Sequence, residues 1–396
     1  MYKDKSLIAL ILFPFTPFIS FLISCFNIRN RLNSFVFILF FALFGYCHTF
    51  EDVRADSYRK YLLFNNYSEK EYIDIYQEYV NGETKDVYED ILFNIVKSFS
   101  DNPHIMMMIV GIFGGFFYLL VVKRFVRDLK INYTLPIIIL LIFMIIESNI
   151  SLMGGIRNFS AFPLFMYSLI RVLIDNKKIW IVGVLLTPLI HFGYLIAVIA
   201  VLVIWIVKIP QSILHYLAII ACALSLFLET SSYSNIIGQV MLGFENEAIE
   251  NRIDSYNDEY KEAHFNQSLT TKLTRVNNKI GACFIILLLI YIKNKKYVLR
   301  MTEYDNKLYT LLLFFTAFAY SLISFSVVGQ RFVYITMVLL YMFLLNMYQN
   351  NRNTSITRFI YFMPFVFIIH IAWTLYNCYS VVGMDIFYQP LVFLLA

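Results

Sequence analysis

Apolar runs of about 15 to 22 residues recur along the whole of this chain, and that recurrence constrains its fold more than any other feature. A helix rises about 1.5 Å per residue, so roughly 20 apolar residues cross the ~30 Å hydrocarbon core of a bilayer. Within hydrocarbon the backbone must satisfy its own hydrogen bonds, which makes helices the expected state of such runs. The runs fall at 6–26, 34–49, 104–122, 133–149, 158–174, 179–190, 192–207, 212–228, 277–292, 308–327, 331–347 and 356–376. The expected fold is all-α: a polytopic transmembrane bundle of about twelve helices in a single integral membrane domain over 1–396. Composition excludes a soluble alternative. Of 396 residues, 59% are hydrophobic and 15% charged, against roughly 25% charged in soluble domains. The first run, Ser6 to Phe26, follows only Lys3 and Lys5 and ends without a small-residue cleavage site. It is expected to be a retained span rather than a signal peptide.

The connections are of two chemical kinds. Short ones are basic: Arg29 and Arg31; Lys123, Arg124, Arg127 and Lys130; Arg171, Lys177 and Lys178; Lys208; Lys293, Lys295, Lys296 and Arg300; Arg352 and Arg358. By the tendency of Lys and Arg to stay on the cytoplasmic side, these face the cytoplasm. The net charge of +5 is therefore a topology signal and implies no nucleic acid. Two long connections, 48–103 and 229–276, are acidic and are expected outside the cytoplasm. The first carries Glu51, Asp52, Asp56, Glu69, Glu71, Asp74, Glu78, Glu83, Asp86, Glu89, Asp90 and Asp101. Within it Tyr72, Ile73, Tyr76 and Tyr79/Val80 recur at helical spacing, predicting an amphipathic helix on the bundle or the membrane surface. Cys25, Cys47, Cys222, Cys283 and Cys378 are scattered, with no CxxC and no metal-ligand spacing, so neither a disulfide framework nor a metal is expected.

The stretch from Ile179 to Val207 is apolar but interrupted by Pro188, His191 and Gly193. A single crossing there would put Lys208 and the basic connection Lys293 to Arg300 outside, against the charge rule. Two short helices meeting near His191, a hairpin that opens to the cytoplasm, restore agreement. Its non-helical tip is tolerable only beside protein or a water-filled cavity. The same parity places both chain ends outside, leaving Lys3 and Lys5 as a mild violation.

Ionisable groups at the outer ends of spans are costly near hydrocarbon and point to function. Arg157 follows Gly154-Gly155-Ile156 just before the fifth span, where glycines let the backbone approach a ligand and a guanidinium can grip a phosphate through two hydrogen bonds. The plainer role is an anchor to lipid headgroups. Arg331 lies in Val328-Gly-Gln-Arg-Phe, read as a connection of a few residues on the same outer side. His191 marks the hairpin tip. Asn158, Glu147 and Gln330 lie close to these positions, and Glu147 is expected to pair with Arg157 across a short turn. In the first outer loop Arg54, Asp56, Tyr58, Arg59 and Tyr61 crowd together, a run that by itself reads as solvated charge.

An ordered set of short motifs runs through these positions: Arg54-Ala-Asp-Ser-Tyr, Gly155-Ile-Arg-Asn, Ile190-His-Phe and Gln330-Arg-Phe. In order and spacing, over nearly the whole chain, it resembles the Wzy/EpsG-type exopolysaccharide and O-antigen polymerases. Ala55 and Asn158 stand where Gly and Gln are frequent. The resemblance implies a GT-C-like membrane glycosyltransferase of the bacterial cytoplasmic membrane, with its active site facing outside. It would join oligosaccharide repeat units carried on undecaprenyl pyrophosphate, without a cofactor. It implies a lipid-linked oligosaccharide as substrate, with membrane lipids, a chain-length regulator and a flippase as partners. Arg157, Arg331 and Arg54 would hold the pyrophosphate, with Tyr58, Glu147, Asn158 and Gln330 in support. Asp56 and His191 are the candidate bases for the acceptor hydroxyl. A flippase for the same lipid, an O-antigen ligase and an export scaffold are the alternatives.

Overall fold

The computed structural model describes residues 4–51, 55–127, 129, 133–207, 209–227, 269–295, 301–323, 326–351 and 355–395. Arg54 and nearly all of the second acidic loop, 229–268, lie outside the described residues. Every regular element among those described is helical. In chain order they are α1 (Asp4–Leu12), α2 (Pro17–Phe26), α3 (Arg31–Tyr46), α4 (Asp56–Asn65), α5 (Tyr72–Val80), α6 (Tyr88–Lys97), α7 (Pro103–Arg127), α8 (Leu135–Ile146) and α9 (Ile156–Leu169), which a π turn extends over Ile170–Ile174. Then follow α10 (Ile181–Ile190), α11 (Leu195–Ile206), α12 (Gln211–Phe227), α13 (Leu269–Lys295), α14 (Glu303–Ser321), α15 (Ser326–Asn350), α16 (Ser355–Val366), α17 (Ile368–Val382), α18 (Asp385–Tyr388) and α19 (Leu391–Leu394).

Among the described residues, four segments are long and apolar enough to cross a membrane: Pro103–Arg127, Leu135–Leu152, Lys272–Lys295 and Gly329–Asn350. A fifth is the pair α16 and α17, bent by 48°. Five further apolar helices are shorter, at 10–17 residues. The run Ser6 to Phe26 is not one span. The Ser20 hydroxyl on α2 bonds the carbonyl of Ala9 on α1. Eleven residues along a continuous helix would separate these by about 16 Å, so the chain folds back between the two helices. Pro17 opens α2, where a missing N–H costs nothing.

The chain forms two compact units. The first comprises Met1–Leu129, Ser148–Val198 and Thr374–Ala396. Its centre is the antiparallel pair α3 and α7, whose backbones touch. A Cβ on Gly45 would strike the carbonyl of Met107, and one on Gly111 the carbonyl of Phe41. Small residues that let helix backbones meet are the usual glue where lipid tails remove the hydrophobic drive between helices. α9 packs on α7, and α10 returns along α9, with Gly183 against Ser168. One end of this unit gathers basic connections. Arg29 donates to the carbonyls of Val126 and Arg127, while Asp175 is held by Arg124 at 2.8 Å and Arg171 at 2.8 Å. The other end carries α4, α5 and α6, the Gly154–Arg157 turn and His191. Short basic connections and the first acidic loop thus lie at opposite ends. Phe18 meets Phe387, and Leu391 N–H bonds Pro14, so the α1–α2 turn sits at the acidic-loop end. α1 therefore starts toward the basic end, not on the loop side expected from parity.

The amphipathic helix expected at 72–80 is α5, buried only at Ile75, with Tyr72, Ile73, Tyr76 and Val80 exposed. α4 and α6 beside it were not foreseen from apolar spacing. The break in 179–207 falls at His191, whose backbone is extended between two helices of 10 and 12 residues.

The second unit comprises Lys130–Glu147 and Ile199–Trp373. α12, α14 and α15 pack in sequence, and α16 lies against α8, α13 and α15. Thr302 and Asp305 form a capping box at the start of α14, and Asn350 donates to the same carboxylate at 2.7 Å, tying the end of α15 to it.

Candidate active site

The residues that could do chemistry gather at the loop end of the first unit. Gly154 and Gly155 lead into α9, so Arg157 stands on its first turn. Arg157 Nη1 donates to Asp86 Oδ2 at 3.0 Å, and its Nε lies 3.4 Å from Glu89 Oε1. Lys60 Nζ, on α4, donates to Glu89 Oε2 at 2.6 Å. Val87 N–H bonds the Leu189 carbonyl at 3.1 Å. The chain just before His191 is thereby docked on the start of α6. Four parts of the chain converge here: α4, the α5–α6 connection, α9 and the His191 break.

Burial grades the cluster. The Asp86 side chain is 3% exposed and that of Arg157 31%. The carboxylates sit behind and the guanidinium in front. Desolvation pushes the Asp86 carboxyl up to about 6, with the Arg157 charge opposing that rise. Burial likewise holds the Lys60 ammonium below the ordinary lysine range, against the pull of Glu89. The contacts of Arg157 use Nη1 and Nε, so among the described residues its Nη2 edge makes no hydrogen bond. A guanidinium fixed on one side and open on the other is preorganised for an incoming oxyanion.

Asp56 opens α4, pairs with Arg59 and is solvent-facing; its Oδ2 lies 3.9 Å from where a Gly155 Cβ would be. Tyr58 is half-buried on the same helix, 6.1 Å from the Tyr61 ring. Asn158 accepts the Tyr194 hydroxyl at 3.4 Å. His191 Nδ1 accepts the Gly193 N–H at 3.2 Å and so caps the turn after the break.

Two expectations are corrected. Glu147 does not pair with Arg157. It ends α8 in the second unit, 1% exposed, where Tyr341 Oη and His370 Nε2 each approach its Oε1 at 3.0 Å. Arg157 takes Asp86 and Glu89 instead. Arg331 is not in a connection: with Gln330 it lies on α15, half-buried, in the second unit. The preceding Gly329 serves close approach rather than a turn, since a Cβ there would strike the Leu322 carbonyl. Asp86, Glu89 and Lys60 were missed as site residues. Their only sequence signal was membership of a charged loop.

Apolar helices with a polar cluster at one end of the first unit point to a multi-pass membrane protein, with that cluster as its candidate site. A family model described as the EpsG family matches residues 32–382, and the chain belongs to that family of Wzy-type polymerases. No curated protein and no solved structure matches it. Membership makes it an exopolysaccharide-related membrane polymerase of glycosyltransferase-like kind.

Proposed function

We propose that this protein joins oligosaccharide repeat units carried on undecaprenyl pyrophosphate, at the outer face of the bacterial cytoplasmic membrane, within a GT-C-like helical bundle. The observation that carries the reading is the open Nη2 edge of Arg157, presented in front of two buried carboxylates. As the glycosidic bond to the lipid pyrophosphate breaks, negative charge grows on the leaving oxygen. A fixed guanidinium in a low-dielectric site stabilises that charge without reorganising. The Asp86 carboxyl, which protonates near pH 6, can loosen its hold on Arg157 when an anion arrives. Arg54 and Arg331 are assigned to anion binding on the sequence alone. Asp56 and His191 stand at the same end as Arg157 and are the bases the sequence nominates for the acceptor hydroxyl. Tyr58, Asn158 and Gln330 are assigned supporting roles on the sequence alone.

The topology of the first unit supports the outer face, because its site lies opposite the basic connections. A ligase or a flippase would use the same lipid, and one experiment separates them. Purified protein in vesicles is given lipid-linked repeat units. A ladder of polymer identifies a polymerase, transfer to a different acceptor a ligase, and movement across the bilayer without a ladder a flippase. No ladder from the wild type would end the polymerase reading.

A further inference from the structure

His48 lies just past the end of α3, 1% exposed. Its Nδ1 is 2.9 Å from the carbonyl oxygen of Thr49. A carbonyl only accepts, so Nδ1 carries the proton and, in the neutral ring, Nε2 holds a bare lone pair. That Nε2 is buried and makes no hydrogen bond among the described residues. A buried polar atom without a partner is costly and calls for an explanation. Its surroundings supply one. A Cβ on Gly154 would lie 3.4 Å from Nε2 and 3.1 Å from the Ser57 Cβ, so the lone pair faces the glycine turn that leads into Arg157. The other candidate bases are engaged: Asp56 with Arg59, His191 with the Gly193 N–H, Asp86 with Arg157 and Glu89 with Lys60.

We infer that His48 Nε2 is the proton acceptor for the acceptor-sugar hydroxyl, an assignment that rests on the polymerase reading above. In the step, the hydroxyl oxygen forms a bond to the anomeric carbon of the donor repeat unit. The bond from that carbon to the pyrophosphate oxygen breaks, and its electron pair leaves with the lipid pyrophosphate. The hydroxyl proton passes to Nε2, leaving an imidazolium that burial disfavours and the Thr49 carbonyl stabilises through Nδ1–H, so that the proton is readily released to water. Nε2 is sealed from solvent in this structure, so the hydroxyl reaches it by shifting the covering wall. The ring of Phe50 lies 5.7 Å from that of His48 and 5.1 Å from that of Tyr61, an aromatic cluster beside Nε2 on which a sugar can stack.

The test compares wild type, His48→Gln and His48→Ala as full-length protein in vesicles with lipid-linked repeat units. Glutamine keeps the size and an accepting oxygen but takes no proton. Its kcat is expected to fall at least about 100-fold with KM within about threefold. His48→Ala is expected to be equally slow and to recover at least about tenfold with added imidazole. Gln carries the test if the Ala variant does not fold, as judged by its thermal unfolding. A His48→Gln enzyme with wild-type kcat, or one changed only in KM, overturns the assignment. A wild type that makes no ladder overturns the polymerase reading and this inference with it, whereas a normal ladder with an active His48→Gln variant overturns the inference alone.

Discussion

Arg157 and Asp86 are 71 residues apart in sequence and 3.0 Å apart in the fold. Asp86 belongs to an acidic extramembrane loop and Arg157 to the mouth of an apolar helix. Their union turns two unremarkable charges into a fixed, one-sided guanidinium. Burial, against the opposing charge of Arg157, also leaves the Asp86 carboxyl held neutral more easily than an ordinary aspartate.

That neutrality has a measurable sign. The Asp86 carboxyl titrates at about 6 in the fold against 3.8 unfolded, so the folded state binds more protons between those values. Stability from this group is greatest below 3.8 and declines as pH rises through 6, by about 3 kcal/mol in all. Asp86→Asn removes the titration. The melting temperature of the variant minus that of wild type is expected to grow from pH 4.5 to pH 7.5. A flat difference would contradict the buried-carboxyl account.

Gly111 sits where α7 meets the Phe41 carbonyl of α3. Gly111→Leu has no room and should prevent a folded, monodisperse protein. Gly111→Ala should lower the melting temperature, with a destabilisation of about 1–3 kcal/mol from overpacking. The comparison is made by thermal unfolding in detergent, and an unaffected Leu variant would refute the backbone contact.

Asp175 gathers Arg124 and Arg171 at the basic end, and its carboxylate is held below the ordinary range. Burial alone would raise it, but the hydrogen bonds and charge of Arg124 outweigh that. Asp175→Asn leaves buried Arg124 without its counter-charge, a loss of about 3–5 kcal/mol. Expression and melting temperature should both fall while the intrinsic affinity for substrate stays unchanged. Stability from this carboxylate is present above the unfolded value and lost as pH drops through its lowered one.

Glu147, Tyr341 and His370 join α8, α15 and α17 through one buried carboxylate. Glu147→Ala and His370→Ala should each cost about 3 kcal/mol, with a double variant well short of their sum. Strict additivity in the thermal unfolding of the three variants would show that the pair is not coupled.

The spans were readable because hydropathy is a local property. α7 begins at Pro103 where the run was placed at 104, and the break at His191 followed from Pro188, Gly193 and charge parity. Arg157 was readable for the same reason: it stands out against its own neighbourhood. Averaging over twenty residues hid the fold-back at Pro14 and Pro17, although the prolines were visible. The partners were not legible. Nothing in a list of twelve acidic residues says that Asp86 and Glu89 are the two that reach Arg157. Nor does any local pattern connect Glu147 to His370, 223 residues away. His48 is illegible at the loop boundary, since a lone histidine at a helix end carries no signal until its second nitrogen is seen without a partner.

The direct test of the account is chain growth by Arg157→Ala and Arg157→Lys in vesicles supplied with lipid-linked repeat units, at matched amounts of folded protein. Both variants are expected to lose at least about 100-fold in the rate of ladder formation, because lysine keeps the charge but not the fork that leaves Nη2 open. A ladder of wild-type rate and length from Arg157→Ala would contradict the assignment of this site.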